Sequence, residues 1–214
     1  VNTDVFVDRD GRPLAPAITW QDIRAGSEAA ELDAMIDPAE KHAWWGAEMP
    51  IGASHVLAKM MWFARNHPDL WTKTDQVLST RDFCLRHLTG QAFSDPISSF
   101  GQVGSDLRYI DALIARVPGA EGKLPPLRHF TEVAGEMVLG SSGRKVPVVT
   151  GTMDAWGNLF GCGVCRPGQG MYMSGTSEIL ALAGSERIGA PGIVTFATID
   201  GLVVNAGPTQ SGAD

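Results

Sequence analysis

The chain of 214 residues carries 17 Lys and Arg against 24 Asp and Glu, a formal net charge of −7. That acidic balance argues against a nucleic-acid or anionic-membrane partner, because phosphate-rich surfaces are bound through excess Lys and Arg. Nor is there an apolar run of the ~18 residues that span a bilayer, or a basic and apolar leader, so the default is a soluble cytoplasmic protein of one domain, or of one with part of a second.

Taken in order, Val5 to Leu14 predicts two strands around the Asp10-Gly11 turn. Ala17 to Trp20 predicts a strand and Asp22 to Ile36 a helix, with Ala29, Ala30, Leu32 and Met35 near one stripe. Trp20, Asp22 and Arg24 sit at the junction and admit two readings. Either Asp22 and Arg24 hydrogen-bond the hydroxyls of a polyhydroxylated ligand while the indole covers a ring or chain face, or they are an ion pair and a core aromatic at a helix start. Trp44 and Trp45 could line an aromatic patch, but core packing is the simpler account. His55 to His67 predicts a helix with Val56, Leu57, Met60, Met61, Phe63 and Ala64 inward, ended by Pro68 and followed by a short connector from Asp69 to Trp71.

Thr80 to Leu88 predicts another helix, capped by Ser79 or Thr80 and stopped by Gly90. Asp82 in its first turn favours the helix dipole. Asp95 heads a turn with Pro96, Ser98 and Ser99. Ile110 to Val117 reads as a helix and Pro118 to Leu127 as a Pro/Gly-rich connector. The 5 histidines have no metal-ligand spacing and fit no nucleophilic triad, so no metal ligand is assigned.

Val146, Val148 and Val149 form a β-branched run of the kind that makes a buried strand. Gly151 then permits a sharp turn, and Asp154 falls at or near the N-cap of a helix running to Phe160 and closed by Gly161 and Gly163. This order puts a carboxylate at the carboxyl edge of a sheet, where α/β folds bind ligands. A strand from Met171 to Ser174 leads into Gly175, Thr176 and Ser177, small residues able to donate several hydrogen bonds to a phosphate. An acid followed by such a turn suits phosphoryl transfer, with the carboxylate accepting a proton from an attacking hydroxyl. The plainer alternative is a capping Asp and a hairpin turn. Of the 3 cysteines, Cys84, Cys162 and Cys165, the last two spell a C-x-x-C that invites a redox or zinc reading. Without a second pair or a His cluster, packing in the interior is the expectation.

The run from Val146 through Gly151 and Asp154 to Gly161 and Gly163, followed by Gly175-Thr-Ser177, resembles the centre of the FGGY carbohydrate kinases, the family that includes xylulose, ribulose, fuculose and glycerol kinases. Trp20-Gln-Asp-Ile-Arg24 is similar to that family's Trp-x-Asp-x-Arg segment. Arg81 to Gly90 with Asp95 resembles its Asp-(Tyr/Phe)-Leu…Leu-Thr-Gly…Asp segment, and Leu124-Pro-Pro-Leu with Glu132-Val-Ala-Gly135 fits its linker into the catalytic strand.

The resemblance implies an α/β fold of the ribonuclease H-like, actin-like type. It would be an incomplete one: residues 1–170 are the latter part of the sugar-binding domain and 171–214 the first strands of a nucleotide-binding domain of the same type. It further implies an ATP-dependent sugar kinase with Mg2+ bridging the phosphates. Asp154 would be the general base, Trp20, Asp22, Arg24 and Asp95 would lie at the substrate, and Gly175, Thr176 and Ser177 at the phosphoryl oxygens. Pro96 stands where glycerol kinases have Tyr, which disfavours glycerol. An FGGY kinase is a longer chain that opens with an Asp-x-Gly-Thr phosphate loop. The segment is therefore expected to be internal and inactive by itself, with a sugar or polyol as partner and a homodimer left open. The competing reading is a non-catalytic sugar-binding or regulatory protein on the same fold.

Overall fold

The computed structural model describes residues 3–174, 178–188, 190, 192–196 and 198–209. The chain divides into two compact units, Val1–Thr152 and Met153–Asp214, each mixed α/β in content.

In the first unit, β1 (Asp4–Val7) is followed by α1 (Gly26–Ala34), α2 (Pro38–Trp45), α3 (Val56–Asn66), α4 (Pro68–Lys73), β2 (Gln76–Ser79), α5 (Thr80–Thr89) and α6 (Asp111–Ile114). β1 and β2 pair antiparallel, Asp4 opposite Ser79 and Val7 opposite Gln76. The expected hairpin at Asp10-Gly11 forms only in part. Asp8 N–H donates to the Arg12 carbonyl at 3.0 Å and Leu14 N–H to Phe6 at 2.8 Å, but the return arm makes isolated bridges at Pro13 and Ile18 instead of a strand. Pro13 and Pro16 have no N–H to give to a ladder.

α1 begins at Gly26 and not at Asp22. The Asp22 carboxylate accepts the Arg24 backbone N–H at 3.0 Å, an Asx-type turn that competes with helix. α2, which periodicity did not predict, is closed by reciprocal capping: Asp37 accepts the Ala39 N–H at 2.7 Å and Glu40 accepts the Asp37 N–H at 3.1 Å, with Pro38 at the first helical position. α3 agrees with its predicted bounds, the His55 ring nitrogen accepting the Leu57 N–H at 3.2 Å as its cap. Pro68 stops α3 and, tolerated in a first turn, starts α4 where a connector was expected. α5 is capped by Ser79 and ended by Gly90 in the left-handed region. α6 is shorter than predicted, the chain from Ala115 to Val117 continuing as tight turns.

The core of this unit gathers Phe6, Leu32, Ile36, Trp45, Leu57, Met60, Phe63, Val77 and Leu113. Phe6 stacks on Phe63 with centroids 3.9 Å apart, and Trp45 is buried with Trp44 against it at 5.6 Å, the core-packing reading. Fully buried in the same layer, Lys59 reaches Asp4 Oδ2 at 2.8 Å.

β3 (Val133–Leu139) and β4 (Arg144–Val149) form an antiparallel two-stranded ribbon. It rests against α5 at Gly135, where a Cβ would come within 2.7 Å of Thr89 Cβ. The valine run is therefore not a buried strand: Val146 and Val148 are half-buried and Val149 is 49% exposed. A two-stranded ribbon covers its residues on one side at most.

The second unit begins with α7 (Asp154–Gly161), followed by β5 (Gly170–Ser174), β6 (Glu178–Gly184), β7 (Val194–Thr195) and β8 (Val203–Thr209). The strands make one antiparallel sheet ordered β5-β6-β8-β7. Met171, Ala181, Ala183, Val204 and Ala206 are buried, and Trp156 of α7 meets Phe196 edge-on at 5.9 Å. Cys84, Cys162 and Cys165 are all exposed and free, so the expectation that Cys162 and Cys165 pack inside is corrected. Cys162 is the C-terminal cap of α7, at the start of a turn. Among the described residues no helix is long and apolar enough to cross a membrane.

Candidate active site

Asp154 is the first residue of α7, with extended Met153 as its N-cap, and its carboxylate is exposed. Oδ1 accepts the N–H of Ala155 at 2.9 Å, and the positive end of the helix dipole favours a charge there. The acid is thus solvent-facing at a helix start and does not act as the N-cap. The chain reaches it through Gly151, whose φ of +74° belongs to the left-handed region that glycine adopts without cost. Gly175, Thr176 and Ser177 lie outside the described residues; β5 and β6 on either side pair through Ser174 and Glu178.

Asp22 and Arg24 form a fork. Arg24 Nε lies 2.8 Å from each carboxylate oxygen of Asp22, and Nη2 lies 2.7 Å from Oδ2. The guanidinium beside it holds the Asp22 carboxyl below the usual range, and the same guanidinium lies 4.9 Å from the centroid of the Trp62 ring. Trp20 is 58% exposed and Ile23 81% exposed. The ion pair of the plainer reading exists, whereas the core aromatic does not: the indole stands at the surface beside a charged fork, a combination able to take a hydroxylated chain.

Asp95 is placed otherwise. It is 0% exposed, and its oxygens are taken by its own chain. Oδ1 accepts from the Ile97 N–H at 3.0 Å, the Ser98 N–H at 3.2 Å and the Thr152 hydroxyl at 3.1 Å, while Oδ2 is ion-paired with Arg81. Its carboxylate faces inward into a polar hub that local patterns did not reveal. Arg81 organises that hub, donating to Ser98 Oγ at 2.8 Å, to the Gly151 carbonyl at 2.8 Å and to Ser94 Oγ at 3.2 Å, and pairing with Asp82 as well. Asp82 is therefore more than a dipole partner. It is buried, and burial pushes its carboxyl up against the pull of Arg81. Nearby, a small cavity of about 30 Å³ is lined by Asp4, Ser79, Asp82, Ser98, Gln102 and Tyr109, among others. The sequence held one signal of the hub, an Arg-Asp pair in a first turn and a Ser-Asp-x-x-Ser-Ser stretch, polar residues at positions where a solvated surface would serve equally.

Among the described residues, no group of three or more His, Cys, Asp or Glu is arranged to hold a metal ion. The described side chains do not form a magnesium site by themselves.

The model of the FGGY family of carbohydrate kinases, N-terminal domain, matches residues 1–161. The chain belongs to the FGGY family. This FGGY chain is 27% identical over 181 residues to the xylulose kinase of Escherichia coli K12, covering 81% of the chain and 37% of that protein. It is 29% identical over 192 residues to the xylulose kinase of Streptomyces coelicolor, covering 86% and 39%. Among solved structures, the kinase of Brucella ovis described as a xyloylose kinase superposes with a TM-score of 0.85 at 28% identity, over 99% of the chain and 45% of that protein. The xylulose kinase of Rhodospirillum rubrum does so at 0.84 and 23%, over 96% and 44%, a likeness of fold. The FGGY chain thus has the α/β, ribonuclease H-like, actin-like fold of the sugar kinases and spans less than half the length of these relatives.

Proposed function

We propose that this chain is part of an ATP-dependent carbohydrate kinase in which Asp154 is the general base. The observation that carries the reading is an exposed carboxylate at the first residue of a helix, three residues after the left-handed Gly151, in a chain of this family. The carboxylate accepts the proton of the acceptor hydroxyl as its oxygen bonds to the γ-phosphorus and the bond from that phosphorus to ADP breaks. Residues 1–170 then contribute to the sugar side and 171–214 open the nucleotide side. Trp20, Asp22 and Arg24 contact the sugar, and Asp95 serves it through the turn it holds. Gly175, Thr176 and Ser177 donate to phosphoryl oxygens. When bound with ATP, Mg2+ would offset phosphate charge; the described residues form no site for it.

Relatives named xylulose kinases make a pentulose the first substrate to try. The test is ADP release from the whole kinase containing this segment, over a panel of sugars, with Asp154→Asn beside it. The amide keeps the shape and cannot take the proton, so kcat should fall by a factor of about 10²–10⁴ with sugar affinity spared. A retained rate would refute the role. Sugar binding without ADP release in the unaltered protein would favour the non-catalytic reading.

A further inference from the structure

Residues 150–152 are held from two sides. Thr150 N–H donates to the Glu132 carbonyl and Gly151 N–H to Phe130, both at 2.9 Å, which fixes the backbone on its ribbon side. On the other side, the Gly151 carbonyl accepts from Arg81 Nη1 at 2.8 Å, and the Thr152 hydroxyl donates to Asp95 Oδ1 at 3.1 Å. Arg81 and Asp95 are themselves ion-paired. Asp95 is additionally pinned by two backbone N–H groups of its own turn. The result is a half-buried guanidinium and a fully buried carboxylate gripping two consecutive residues at the end of the first unit.

Burying these charges is a poor way to gain stability, since well-packed apolar side chains of similar volume usually do as well or better. What a pair with this many hydrogen-bonding partners does supply is geometry, because each bond fixes the direction of the group it holds. The place where that geometry is spent is informative. Asp154 follows Thr152 by two residues, so its Cα can lie no more than about 7 Å from that of Thr152. Fixing residues 151 and 152 therefore restricts where the carboxylate can be. A displacement on the order of 1 Å at a reacting group can cost about 10² in rate.

We propose that Arg81, Asp95 and Thr152 form a clamp on the turn that delivers Asp154, and that they are positioning residues for phosphoryl transfer. The proposal rests on the kinase reading above, and it assigns a role to Arg81, to which the sequence assigned none, and a different one to Asp95.

The decisive variants are Thr152→Val, which keeps the shape and removes the hydroxyl, and Thr152→Ser, which keeps the hydroxyl. In the whole kinase, Thr152→Val should lower kcat by about tenfold or more with KM for the sugar little changed, and Thr152→Ser should recover most of it. Amide hydrogen exchange supplies a readout independent of turnover: protection across residues 150–155 should fall in Thr152→Val and persist in Thr152→Ser, with the rest of the protein unchanged. A purely structural role predicts a lowered melting temperature with kcat intact below it, and that result overturns the proposal. So does equal loss of kcat in the Ser and Val variants, or unaltered exchange in Thr152→Val. If the unaltered kinase releases no ADP with any sugar, the kinase reading fails and takes the catalytic purpose of the clamp with it. The exchange data would then separately report whether the turn is held.

Discussion

Replacing Lys59 by Met is expected to destabilise the first unit strongly at neutral pH and much less in mild acid. Lys59 is 0% exposed, and its ammonium lies 2.8 Å from Asp4 Oδ2 and 3.3 Å from the Ile18 carbonyl. Methionine fills nearly the same volume as the lysine stem, so the transfer and cavity terms are small. What remains is a buried carboxylate without its cation. Even with Lys59 present, burial raises the Asp4 carboxyl to about 6 from 3.8. Desolvation thus outweighs the attraction of Lys59. Removing the cation raises that carboxyl further, and breaking a buried pair typically costs about 3–5 kcal/mol.

The folded carboxyl lies above its unfolded value, so the penalty is absent when both states are protonated and grows as pH rises through the folded value. Urea unfolding followed by near-ultraviolet circular dichroism at pH 5 and pH 8 measures this. A loss of about 3–5 kcal/mol at pH 8, shrinking markedly at pH 5, is the expected result. The double variant Asp4→Asn with Lys59→Met should recover much of the deficit, since no unpaired charge is left. An equal loss at both pH values, or a double variant worse than the single, would refute the reasoning.

Burial holds the His55 imidazole down at about 4 from 6.5, while its Nδ1 caps α3 by accepting the Leu57 N–H. Protonation would remove that acceptor. The contribution of His55 should be complete above pH 6.5 and be lost between there and pH 4, by up to ~3 kcal/mol, against the opposite slope of Asp4; the difference between the protein and His55→Asn, which can still cap, should show it in urea titrations, and an unaltered slope in the variant would count against the account. Gly135→Ala would place a Cβ within 2.7 Å of Thr89 Cβ, and overpacking of this kind costs about 1–3 kcal/mol. Thermal melts should show the loss, and an unchanged melting temperature would mean that β3 and α5 are less tightly apposed.

Local chemistry determined much of the helical frame. The bounds of α3 and α5 follow from an apolar stripe, a residue able to cap and a Pro or Gly stop, because caps and periodicity are satisfied within one or two turns of chain. α2 was equally legible in Asp37, Pro38 and Glu40. The motif order that marks the family is also a property of the linear chain. Exposure is not. Valines suited to a buried strand lie half open because their ribbon has only two strands, and Trp20 stands at the surface because the Asp22 turn delays α1 until Gly26. Least legible was the hub: Arg81 meets Asp95 across 14 positions and Asp95 meets Thr152 across 57. Short-range propensity carries no information about which buried charge another will find. That choice is made when helix, turn and ribbon close on one another and each carboxylate must either find a partner or remain in water.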